Sequence, residues 1–170
     1  LHGLEMPNAQ IEFDLHETEE LNEFGCSELV LKFTANLGMP LQSLNKVASG
    51  GELSRLALSI RSIEAKHKHL NTLVFDEIDT GVSGKVADTI GQVFRQISSN
   101  HQVIAITHLP QVAGYGDKHF MVCKKEEANT TVSYLKELNP NERVEELAKM
   151  LSGNEATDIA KQNALELLKV

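Results

Sequence analysis

No Gly-x-x-x-x-Gly-Lys-Ser/Thr loop occurs anywhere in these 170 residues, so the chain lacks the element that would wrap a nucleotide's phosphates. The nearest imitation, Gly81-Val82-Ser83-Gly84-Lys85-Val86, fails twice: Asp79 stands at the first glycine position and Val86 at the hydroxyl position. Cysteine is almost missing too. Cys26 and Cys123 lie far apart without a C-x-x-C partner, which leaves thiolate metal binding and redox exchange without support, and both are expected as core thiols. Basic residues are outnumbered, 16 Lys and Arg against 24 Asp and Glu, for a formal charge of −8. That balance argues against the chain alone gripping a phosphate backbone. There is no apolar run long enough to cross a bilayer and no charged-then-apolar leader, so no membrane partner is expected and a cytoplasmic location is the default reading. Internal repeats and low-complexity linkers are absent as well.

What remains is the composition of an ordinary globular protein, 41% hydrophobic and 24% charged, in a length that predicts a single domain, 1–170. The first residues, from Leu1, read as the middle of something, so the chain is expected to be a piece of a longer polypeptide. Residues 9–16 and 28–34 alternate apolar and polar side chains and predict an antiparallel pair. Residues 35–48 read as an irregular connector with Gly38 and Pro40. A helix is predicted over 52–67 with Leu53, Leu56, Ala57, Ile60 and Ile63 on its buried stripe and Ser49 as cap. Buried strands follow at 72–75 and 102–107, joined by a helix over 82–97, the order of a parallel crossover unit. A short helix over 109–115 with Pro110 in its first turn, a hairpin over 118–138 and two helices, 142–151 and 155–168, separated by Gly153, complete the expectation.

Two stretches carry chemistry. Ser49-Gly50-Gly51-Glu52 at a helix start presents unpaired backbone N–H groups and the positive end of the helix dipole, which suits a phosphate. Leu73-Val74-Phe75-Asp76-Glu77 would carry two carboxylates out at a strand's C-terminal edge. An Asp there suits Mg²⁺, and the adjacent Glu suits an attacking water. Together these read as half of an ATP site. Each has a plainer reading: Gly50-Gly51 as a turn, Asp76-Glu77 as a solvated strand end, and His108 as a cap for the helix that follows it. All three fall at one edge of one parallel sheet, where open α/β sheets bind ligands, and that favours the nucleotide reading. His67-Lys68-His69 has the wrong spacing for a shared metal and reads as a solvated helix end.

Ser49 to Glu52 resembles the signature motif of ABC-type ATPases, Leu73 to Glu77 their Walker B strand, and His108 their switch histidine. The wording is closer still to the RecN family of SMC-like DNA-repair ATPases, in Phe33-Thr34-Ala35-Asn36, Val47 to Arg55, Phe75 to Gly84 and Ile106 to Ala113. The resemblance implies a P-loop NTPase-like α/β fold: the C-terminal lobe of an ABC/SMC ATPase head, a parallel sheet with flanking helices plus antiparallel edge strands. It implies ATP and Mg²⁺ as cofactors. Its partners would be the polypeptide's own Walker A lobe, a second head in an ATP-dependent homodimer, a recombinase, and DNA through the full-length assembly in double-strand-break repair at the nucleoid. Ser49, Gly50, Gly51 and Glu52 would then contact the γ-phosphate held by the other head, Asp76 the Mg²⁺ shell, Glu77 the water and His108 the γ-phosphate. Asp79 and Ser83 would lie in the D-loop, where Val82-Ser83 replaces the usual Leu-Asp. The lone chain would be inactive. Two rivals stay open here: a transporter's nucleotide-binding domain and a structural dimerisation lobe without turnover.

Overall fold

The computed structural model describes residues 4, 6–23, 25–46, 50–68, 70–79, 81–82, 84–127, 130–153 and 155–168. Backbone packing divides the chain into two compact units, Leu1–Lys68 and His69–Val170.

In the first unit, β1 (Gln10–Asn22) and β2 (Gly25–Thr34) form an antiparallel hairpin. Ile11, Phe13 and Leu15 stand opposite Phe33, Leu31 and Leu29, so one face is apolar. On the other, Lys32 reaches Asp14 at 2.7 Å and Glu12 at 3.4 Å, and its ammonium holds the Asp14 carboxyl below its ordinary range. Both strands run further than the alternation predicts, because the backbone ladder continues through polar residues, with Thr18 Oγ1 donating to Cys26 O at 3.1 Å. Cys26 is therefore exposed and Cys123 only half-buried: neither is a core thiol. The stretch 35–48 is also more regular than expected. Gln42–Ser43 (β3) pairs with β2, and Leu44–Lys46 forms a 3-10 turn.

Helix α1 spans Gly50–Lys68, two residues longer at its start than predicted. Its buried side chains are Leu56, Leu58 and Ala65, whereas Ile60 and Ile63 of the expected stripe are exposed. Leu56 joins Met6 and Phe33 in the local core, and Leu53, Ala57 and Ile60 instead line an open apolar groove of about 400 Å³ with Leu44. The predicted cap, Ser49, lies outside the described residues.

In the second unit, β4 (Thr72–Asp76) and β5 (Gln102–Ile106) are parallel in register Leu73↔Val103 and Phe75↔Ala105, joined by α2 (Gly84–Ser98). Leu73 and Phe75 face the helix, and Phe75 stacks on Phe94 with ring centroids 4.8 Å apart. The expectation of strands buried on both faces is not met. Val74, Ile104 and Ile106 are exposed, because α2 covers a single face of the pair. After α3 (Pro110–Gly114), β6 (Phe120–Glu127) and β7 (Thr130–Glu137) form the expected hairpin; of its predicted turn, Glu126 and Glu127 belong to β6, and 128–129 lie outside the described residues. Helix α4 (Pro140–Ser152) opens on a capping box between Asn139 and Glu142 and stops at Gly153, whose φ of 92° suits glycine. Its Leu147 and Ala148 pack on Ala160 and Ala164 of α5 (Asp158–Leu167).

Candidate functional site

Asp76 is the last residue of β4, and the ladder runs one step beyond it, Glu77 N donating to Ile106 O at 3.1 Å. Glu77 itself has φ of 48°, the one non-glycine residue in the left-handed region among the described residues. A side chain there is strained, and such strain gathers where a group must be held in one place. Two residues on, Asp79 turns inward and is 1% exposed.

The β5 end is tied to this turn. Thr107 Oγ1 donates to Asp79 Oδ2 and accepts from Leu109 N at 3.0 Å. His108, between them, is exposed, with Nδ1 at 4.0 Å from Asp79 Oδ1. It does not cap α3: the cap residue is Leu109, with no side-chain hydrogen bond. Asp76, Glu77, Asp79 and His108 thus share the C-terminal edge of the β4–β5 pair.

Gly50, Gly51 and Glu52 sit in the other unit, as the first turn of α1 itself rather than in a turn before it. The N–H groups of Gly50 and Gly51 are among those an α-helix leaves without intrahelical partners. Nothing lies within 4 Å of where a Cβ on Gly50 would be, so its backbone is open to approach. Ser49 and Ser83 lie outside the described residues.

Among the described residues no group of three or more His, Cys, Asp or Glu could hold a metal ion. An exposed carboxylate such as Asp76 fits Mg²⁺, which binds through one or two carboxylates and keeps its other ligands as waters and phosphate oxygens.

No model of a protein family matches the sequence. Individual proteins do. The chain is 41% identical, over 99% of its length, to the DNA repair protein RecN of Halalkalibacterium halodurans, and 44% identical, over 88%, to that of Bacillus subtilis. This chain belongs to the RecN family. It spans 30% and 26% of the length of those two RecN proteins and corresponds to their C-terminal part. Among solved structures it is similar to an SMC ATPase described for ATP-driven dimerisation and DNA-stimulated activation, with TM-score 0.61 and 19% identity over 88% of this chain and 86% of that one. The Smc head domain of Pyrococcus yayanosii gives TM-score 0.64 and 20% identity over 86% of this chain and 27% of that one. At these identities the likeness shows the fold, an α/β SMC-type head.

Against that RecN sequence background, two features of the edge were not read from residues alone. Thr107 ties β5 to the carboxylate turn, and the only sequence signal for it is a hydroxyl residue next to His108 at a strand's end. The burial of Asp79 had no signal, since an Asp three positions past a strand carboxylate reads as a solvated turn residue. Among the described residues no helix is long and apolar enough to cross a membrane.

Proposed function

We propose that this chain is the C-terminal lobe, a single domain, of an SMC-like ATPase head acting in DNA double-strand-break repair, and that it supplies the signature turn, the acidic strand end and the switch histidine of a composite ATP site. The observation that carries this reading is the meeting of Asp76, Glu77 and His108 at one edge of a parallel pair, in a RecN chain without a Walker A loop of its own. RecN relatives and the dimerising SMC ATPase support it.

Glu77 orients the attacking water and accepts its proton, held in place by the strained backbone at the strand end. The exposed His108 ring donates to a γ-phosphate oxygen, where charge gathers as the phosphoryl group is transferred. Gly50 and Gly51 present N–H groups, Ser49 a hydroxyl and Glu52 its place in the signature turn, to a nucleotide carried by a second head. Asp76 holds the shell of Mg²⁺, which when bound neutralises charge on the phosphates. Asp79 and Ser83 follow as the D-loop. With a charge of −8, the lobe reaches DNA through the full assembly, at the nucleoid and with a recombinase, rather than by itself.

The test is Mg²⁺-dependent ATP hydrolysis by the chain alone, by the chain with the remainder of its polypeptide, and by that pair carrying Glu77→Gln. Turnover is expected only in the wild-type pair. The Glu77→Gln pair should accumulate as an ATP-bound dimer on sizing. Turnover by the lone chain would overturn the split site, and none in any sample would leave a structural lobe.

A further inference from the structure

Among the described residues the buried carboxylate of Asp79 is bonded on one oxygen only. Oδ2 accepts from Thr107 Oγ1, while Oδ1 is enclosed by protein and has no hydrogen-bond partner among those residues. A buried carboxylate oxygen is costly to leave unpaired. The nitrogen facing it is Nδ1 of His108, at 4.0 Å, too long for a hydrogen bond and within reach of a small rotation of an exposed ring. Both residues next to His108 in sequence are held: Thr107 by Asp79, and Leu109 N by Thr107 Oγ1 at 3.0 Å. The ring therefore hangs from a backbone that the same carboxylate fixes.

We propose that Asp79 is the positioning residue of His108. It takes a hydrogen bond from Nδ1–H and so selects that tautomer, leaving Nε2 at the outer end of the ring. An anionic oxygen arriving at Nε2 is met by the ring in its doubly protonated form. The ring donates from both nitrogens, Nδ1–H to Asp79 and Nε2–H to the anion. This goes beyond a D-loop place for Asp79, and its second half rests on the nucleotide reading above; the tautomer does not. The logic is that of a carboxylate that orients a catalytic imidazole without touching substrate.

The chain labelled with ¹⁵N-histidine, at a pH where the ring is neutral, reports the tautomer in two-bond ¹H–¹⁵N correlations, with His108→Gln assigning the signal. The Nδ1–H form is expected in the wild type, and Asp79→Ala should return His108 to the Nε2–H form that free histidine favours. A wild-type ring in the Nε2–H form, or an Asp79→Ala spectrum that keeps Nδ1–H, overturns the proposal. Should Asp79→Ala fail to fold, Asp79→Asn keeps the shape with a weaker acceptor, and an undiminished Nδ1–H population in that variant is equally fatal. In the chain with the remainder of its polypeptide, Asp79→Asn should lower kcat by about tenfold or more with KM for ATP little changed. A wild-type pair that never hydrolyses ATP would defeat the nucleotide reading and leave the tautomer to judge Asp79.

Discussion

Along the β1–β2 hairpin the apolar face passes from closed to bare, from Phe33 at 1% exposed to Phe13 at 69% and Leu15 at 68%, whereas in the second unit α4 and α5 enclose Leu147, Ala148, Ala160 and Ala164 completely or nearly so. The first unit holds its glycine turn on a helix anchored through Leu56 to Phe33 and Met6, with Leu53, Ala57 and Ile60 left on an open groove. The second holds its acidic edge on a crossover fixed by the Phe75–Phe94 stack, with a closed helical pair in the same unit. Apolar residues in the two units are similar in kind and different in what covers them. Stability should follow cover rather than hydrophobicity.

The largest expected effect tests that contrast directly. Leu147→Ala removes a side chain with no exposed surface and should cost about 2–5 kcal/mol in denaturant unfolding. Leu15→Ala removes the same atoms from the bare end of the hairpin and should stay within about 0.5 kcal/mol. Similar losses would mean that the hairpin face is covered in solution. Next comes Gly91 in α2, where an added Cβ would clash with the Tyr115 ring at Cδ2. The Tyr115 hydroxyl donates to Asp88 at 2.7 Å, so the ring cannot swing away freely. Gly91→Ala should cost about 1–3 kcal/mol, and a neutral result would show that the ring moves.

Sequence patterns reached the parallel crossover, both hairpins and the helix stop at Gly153 because these depend on local signals: alternation over 9–16 and 28–34, and a glycine where the chain takes a positive φ. They located the Asp76-Glu77 strand end and His108 for the same reason, each being a polar residue at the close of an apolar run. They failed on burial. Ile60, Ile63, Val74, Ile104 and Ile106 are apolar at the right period and exposed in the structure, since periodicity marks a face and says nothing of whether another element covers it. Asp79 is the converse, a buried charged side chain whose hydrogen-bond partner, Thr107 just past β5, is 28 residues away in sequence. Ser49 and Ser83 lie outside the described residues.

At the acidic edge of the second unit, Glu77 carries backbone strain of its own. With φ of 48°, Glu77→Gly relieves a left-handed side chain, worth up to about 1 kcal/mol, against the interactions that side chain makes, so the net change in stability should stay within about 1 kcal/mol while the carboxylate proposed to orient water is removed. A clear loss of stability would mean that the Glu77 side chain supports the fold.

The smallest effect concerns His119, the half-buried imidazole that precedes β6. Burial, and then the nearby Arg143 guanidinium, lower its pKa from the ordinary 6.5, with Glu146 opposing, and its Nδ1 is enclosed without a hydrogen-bond partner among the described residues. The folded state therefore holds fewer protons at this site than the unfolded chain once pH falls below about 6.5. Its contribution to stability is complete above that value and is lost as the solution is acidified through the folded-state pKa. The lowered carboxyls of Asp14, Glu64 and Glu142 start from 3.8 to 4.5, so their losses begin further down and the windows separate. Between about pH 7 and pH 5 the wild-type melting temperature should fall with acid, and His119→Gln should flatten that slope without changing its sign below pH 4.5. An unchanged slope in the variant would place the proton uptake elsewhere and show that the second unit closes less tightly around His119 than around Leu147.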